Sequence, residues 1–121
     1  MKINEKKTHS IIFNFTNDYK FSTRLSLNGE NIEIRESTKL LGTVITNDLK
    51  WNLNTKTLVR QANASMEILR RLIPFGVPIE DLKTLYVLFV RSILEKSAVV
   101  WHSSLSEENK KEILSVSKNL L

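Results

Sequence analysis

A chain of 121 residues with 41% hydrophobic content is one domain's worth of material, enough for a modest core. It has no cysteine, which excludes disulfide frameworks, thiolate metal sites and zinc fingers, and its formal net charge is +5. The basic opening MKINEKKTHS is not followed by the apolar run of about 7–15 residues that a secretory signal needs, so an intracellular location, nuclear or cytoplasmic, is expected.

In chain order, the first half reads as β. HSIIFNF at 9–15 is β-branched and aromatic, and Tyr19, Phe21, Thr23, Leu25 and Leu27 alternate at period two on one face. Asn28-Gly29 then supplies the two positive-φ positions of a tight hairpin turn. NIEIRES alternates again from Asn31, and KLLGTVIT at 39–46 gives a fourth, more apolar strand. Gly42 stands inside that run, where a residue without a side chain gives up packing, so the close approach of a backbone or ligand is expected there. NDLKWNLN at 47–54 turns the β half into the α half.

The second half reads as α. Leu58, Ala62, Met66, Leu69 and Leu72 or Ile73 recur at steps of three and four, while Arg60, Asn63, Glu67, Arg70 and Arg71 fall on the other side. That pattern is an amphipathic helix with a basic outer face. Pro74 is expected to push Ile73 out of the α region and, with Gly76, to end the helix. A second helix begins near Pro78, with Glu80 and Asp81 favourably placed against its dipole. Its stripe is Leu82, Leu85, Tyr86, Phe89, Val90, Ile93, Leu94 and Trp101; Val87 and Leu88 lie off it, so LYVLFV at 85–90 calls for cover on more than one side. That run falls far short of the roughly 18 residues of a membrane span, and no membrane contact is expected. Ser106 caps a third helix with Glu107 and Glu108 in its first turn. This helix carries Ile113, Leu114, Val116, Leu120 and Leu121 and stops without a capping residue, as a piece of something longer would. The expected fold is therefore α+β: a small antiparallel β-sheet over about residues 9–46, then a three-helix bundle over about 53–121, the two parts meeting at 51/52.

The chemistry-bearing residues do not compose an active site. His9 and His102 have no Asp or Glu nearby in a triad pattern, the three glycines are isolated rather than gathered in a phosphate loop, and Asp18, Asp48 and Asp81 are far apart in sequence. Glu80-Asp81 and Glu107-Glu108 are accounted for by helix dipoles. What remains is charge. Lys2, Lys6, Lys7, Lys20 and Arg24 stand against Glu5 and Asp18, and Lys56, Arg60, Arg70 and Arg71 against Glu67. Such patches are the footprint of phosphate contact, with a solvated face as the competing explanation.

Several stretches, in their order and spacing, resemble the reverse transcriptases of non-long-terminal-repeat retrotransposons, Jockey-like elements in particular. NEKKTHSIIFNF at 4–15 is similar to motif D of the polymerase palm, an N-x-x-K-T followed by an apolar strand. STKLLGTVITNDLKW at 37–51 resembles motif E, the primer grip, with its apolar-Leu-Gly signature. ANASMEILRRL, FGVPIEDLKTLYVLFVRSILEKSAVVWHSSL and SVSKNLL resemble the thumb and its exit helix; the last departs from the more usual V-Q-[RK]-x-A-[LI] by placing Ser117 at the Gln position. The resemblance implies the end of a palm followed by a thumb, and an RNA-DNA or DNA duplex as partner. The family's catalytic Y-x-D-D strand lies upstream of motif D, so this chain is expected to grip primer-template without catalysing synthesis alone. It also implies magnesium for the parent enzyme and no cofactor in this chain.

Residue by residue, Lys7 matches the motif D lysine, which in the family assists departure of pyrophosphate as a general acid, and Leu41 and Gly42 match the primer grip. Lys56, Arg60, Arg70 and Arg71 are not motif residues; charge and helix face select them. Trp51 and Trp101 are candidates either for stacking on nucleotides or for anchoring the core. The alternative from another class is an interaction module, in which the apolar helix at 79–101 packs against a protein partner or a second copy without any nucleic-acid role.

Overall fold

Turn chemistry, more than strand length, organises the N-terminal half. The computed structural model describes residues 2–16 and 24–118. The expected alternation at Tyr19, Phe21 and Thr23 and the closing Leu120 and Leu121 lie outside the described residues. Among the described residues there are six short strands: β1 (His9–Ser10), β2 (Ser26–Leu27), β3 (Glu30–Asn31), β4 (Glu33–Ile34), β5 (Ser37–Leu40) and β6 (Thr43–Thr46). They pair two by two, β2 with β3 and β5 with β6 antiparallel, β1 with β4 parallel. Helices follow, and the α+β class is borne out.

The Asn28-Gly29 turn forms as expected, with φ of 50° and 83° and Leu27 opposite Glu30. The run KLLGTVIT, by contrast, is a second hairpin and not a single strand. Leu41 (φ 49°) and Gly42 (φ 85°) are its two central residues, and Leu40 pairs with Thr43 across them. Positive φ at both positions gives the loop a twist that matches its strands. Gly42 adopts it freely, which is the reason for a glycine there, while Leu41 is strained by roughly 1–2 kcal/mol. HSIIFNF is also shorter as a strand than expected. Only His9 and Ser10 pair, with Glu33 and Ile34, and Phe13 and Phe15 are exposed. A hydrogen bond between His9 Nε2 and Thr38 Oγ1 ties β1 to β5.

The chain divides into two compact units, Met1–Lys50 and Trp51–Leu121. In the second, α1 (Asn52–Leu72) buries Leu58, Ala62, Met66 and Leu69 at the expected helical spacing, and buries Asn54 and Thr55 one turn earlier. The helix ends at Leu72, as expected, but Pro74 does not push Ile73 out of the α region. Ile73 keeps helical dihedrals (φ −56°, ψ −47°) and opens a 3₁₀ turn, Ile73–Phe75, that carries Pro74 in its first positions, where a missing N–H costs nothing. Gly76 (φ 73°) closes the turn by donating its N–H to the Ile73 carbonyl at 3.1 Å.

The second helical stretch starts after Pro78 as α2 (Ile79–Tyr86), widens into a π-helical turn at Val87–Arg91 and ends as α3 (Ser92–Leu94). The wide turn holds Tyr86, Val90 and Leu94 on the core side at steps of four, and Phe89, expected on that stripe, is exposed instead. The Ser92 hydroxyl donates to the Leu88 carbonyl inside the widened turn. The helix breaks at Ser97 (φ 54°), so Trp101 belongs to a separate short helix, α4 (Ala98–Trp101). The last helix, α5 (Glu107–Lys118), begins at Ser106 as expected, whose Oγ accepts from the Asn109 N–H at 3.2 Å. Ala62, Met66, Leu69, Val90, Leu94 and Val116 form the core of this unit. A part-buried polar tie joins α5 to the start of α1, where the buried Asn109 donates its Nδ2 to Oδ1 of the exposed Asn52 at 2.9 Å.

Candidate nucleic-acid interface

One helix places four of the selected cations together. On α1, Lys56, Arg60, Arg70 and Arg71 are exposed and fall within about 100° of one another around a 3.6-residue helix, opposite the side that buries Leu58, Ala62, Met66 and Leu69. From Lys56 to Arg71 this face runs about 22 Å along the axis. It exists because the apolar residues of α1 recur at three and four, which leaves the charged positions on one outer face, as two pairs about 15 Å apart with Asn63, Ala64 and Glu67 between them. Glu67 sits within the stripe, 3.6 Å from Arg70 Nη1 and 3.7 Å from Arg71 Nε, and shares its charge between the two. Among the described residues Lys56 and Arg60 have no ion-pair partner, which concentrates positive potential toward the N-terminal half of the stripe.

The first unit carries the remaining candidates. Lys7 ends an exposed 3₁₀ turn, Glu5–Lys7, that precedes β1 and is capped by Asn4, whose Oδ1 accepts from the Lys6 N–H at 3.1 Å. Leu41 and Gly42 form the tip of the β5–β6 hairpin, and the Leu41 side chain is 88% exposed. Lys39 is exposed two residues before that turn, directly opposite Val44. It adds a cation at the tip that sequence reasoning passed over, because a run taken as one strand has no tip. Reading Leu41-Gly42 as a two-residue turn would have revealed it.

Three carboxylates of this unit are held below their ordinary values by local donors. Glu5 accepts first of all from the Asn28 side chain, Glu33 from Arg35 at 2.7 and 2.9 Å, and Asp48 from the Thr46 hydroxyl at 2.6 Å and then the Lys50 N–H at 3.0 Å. All are surface interactions; those of Glu5 and Asp48 lie at turns, and that of Glu33 lies at the end of β4. Among the described residues no group of three His, Asp or Glu side chains could hold a metal ion, and no magnesium donor set is available to assign. Both tryptophans are core anchors and present no open ring face. Trp51 is buried at the start of α1, and Trp101 is 1% exposed, its Nε1–H donating to the Lys96 carbonyl at 2.9 Å.

Among the described residues no helix is long and apolar enough to cross a membrane. Comparisons of this chain with protein-family models, with curated proteins and with solved structures found no match.

Proposed function

We propose that this chain grips a nucleic-acid duplex through its phosphates along the exposed face of α1, as the thumb of a Jockey-like reverse transcriptase, and that it does not synthesise DNA on its own. The observation that carries the reading is the alignment of Lys56, Arg60, Arg70 and Arg71 on one exposed helix face. The Leu41-Gly42 tip, with Lys39 beside it, is the second contact the reading assigns, toward the primer backbone. Lys7 enters through the motif D resemblance alone.

Contacts of this kind position a duplex and carry little sequence information. Titration of the protein against an RNA-DNA duplex at two salt concentrations tests the reading. With about four phosphate contacts, affinity should fall roughly 100-fold between about 50 and 200 mM salt. Absence of binding at the lower salt overturns it. Nucleotide incorporation by the pure chain would overturn the view that synthesis needs carboxylates from elsewhere.

A second reading is favoured by one specific feature. Val87, Leu88 and Phe89 are three consecutive apolar residues left exposed on the π-helical turn, as a protein-binding or self-associating face would be. Under that reading the chain forms a dimer or captures a protein partner, and duplex binding at low salt is absent.

A further inference from the structure

Asn28 is the one asparagine of the chain that precedes a glycine. Both residues are exposed at the β2–β3 turn, and nothing lies within 4 Å of the place where a Gly29 side chain would stand. In a two-residue turn the ladder's hydrogen bonds belong to the flanking pair, here Leu27 and Glu30, so the Gly29 amide is not committed to the ladder. An exposed carboxamide followed by an unhindered main-chain amide is the arrangement in which asparagine cyclises on its own backbone. We propose that Asn28-Gly29 is this protein's site of spontaneous deamidation and isomerisation, and that the reaction releases a tether holding the turn.

In the first step the Gly29 nitrogen, its proton lost to solvent, attacks Asn28 Cγ. A C–N bond forms, the side-chain nitrogen takes a proton from water and leaves as ammonia, and a five-membered imide remains. Water then opens the ring at either carbonyl. Cleavage at Cγ gives aspartate, and cleavage at the main-chain carbonyl carbon gives isoaspartate. No oxidant, reductant or other co-reactant is required.

The group consumed in this reaction is the one that holds the turn. Asn28 Nδ2 donates to Glu5 Oε1 and so joins the hairpin to the 3₁₀ turn before β1. The product carboxylate has no proton to donate and sets a second negative charge beside Glu5. The amide's donation also keeps the Glu5 carboxyl below its ordinary value. Isoaspartate further routes the main chain through a side-chain carbon. That adds an atom to a loop whose two-residue length sets the register of Ser26 with Asn31 and Leu27 with Glu30.

The test incubates the full chain in mildly alkaline buffer and maps its peptides by mass spectrometry over time, with separate detection of isoaspartate. Asn28 is expected to convert first, severalfold faster than Asn47 or any other asparagine, to a mixture of aspartate and isoaspartate. Conversion at Asn28 no faster than elsewhere overturns the site. A second measurement uses Asn28→Asp, read by carboxyl-detected NMR and amide exchange. The Glu5 titration should move up toward its ordinary range, and exchange across β2–β3 should quicken. A Glu5 titration and hairpin exchange identical to those of the parent chain overturn the tether.

Discussion

The two units of this chain are held together by different means. All ten buried hydrophobic residues among those described, from Trp51 to Val116, belong to the helical unit, whereas the only buried residue described in the β unit is Thr43. The helical unit rests on apolar burial. The β unit rests on two-residue turns, short ladders and exposed side-chain hydrogen bonds, each contributing about 1 kcal/mol or less net. Apolar burial is therefore concentrated in the helical unit, the same unit that displays the cationic stripe. Under the proposed function a phosphate grip needs its charges held in register, which α1 would do by burying its other face.

Truncating one buried or half-buried side chain at a time separates the two units most sharply. Trp101→Ala removes a buried anchor and its bond to the Lys96 carbonyl, and should destabilise the helical transition in urea by about 3–5 kcal/mol. Met66→Ala, at the centre of the helical core, should cost about 2–5 kcal/mol in the same experiment. Ile45→Ala in the half-buried strand β6 should shift that transition by less than about 1 kcal/mol. An equal or larger effect at Ile45 would contradict this division of stability.

A smaller effect separates the two hairpins. Leu41→Asn replaces a strained left-handed leucine with a residue suited to that conformation, and should stabilise the β5–β6 hairpin by up to about 1 kcal/mol. Slower amide exchange across that ladder is the readout, and unchanged or faster exchange would show that the leucine is favourable where it stands. Smallest of all is the acid response of the turn after β6. The Asp48 carboxyl is depressed by the Thr46 hydroxyl and the Lys50 amide. Its contribution is therefore complete above the unfolded-state value and is lost as the pH falls through the lower folded-state value. Its NMR titration should sit below the ordinary aspartate range and return toward it in Thr46→Val.

What was legible in the sequence follows the same divide. The buried positions of α1, the Ser106 cap and the Asn28-Gly29 turn were readable because each is fixed by neighbours within one helical turn or one loop. The cationic stripe followed from the helix period alone. Leu41-Gly42 was misread because leucine seldom takes positive φ, so an apolar run around one glycine looked like a continuous strand. Phe89 was misplaced because a π turn inserts extra arc that no 3.6-residue count anticipates. The pairing of β1 with β4, and the tie between Asn52 and Asn109, join residues distant in sequence and left no local signal.

The most direct test of the account is the salt dependence of duplex binding by the intact chain and by Lys56→Gln/Arg60→Gln, with helicity checked by circular dichroism. Both substitutions sit on the exposed face of α1, away from its core, so the fold should be unchanged. The slope of log K against log salt should become shallower by about 1.8, two contacts at about 0.9 each. Binding that keeps its full slope after both charges are removed would contradict the assignment of this face as the grip.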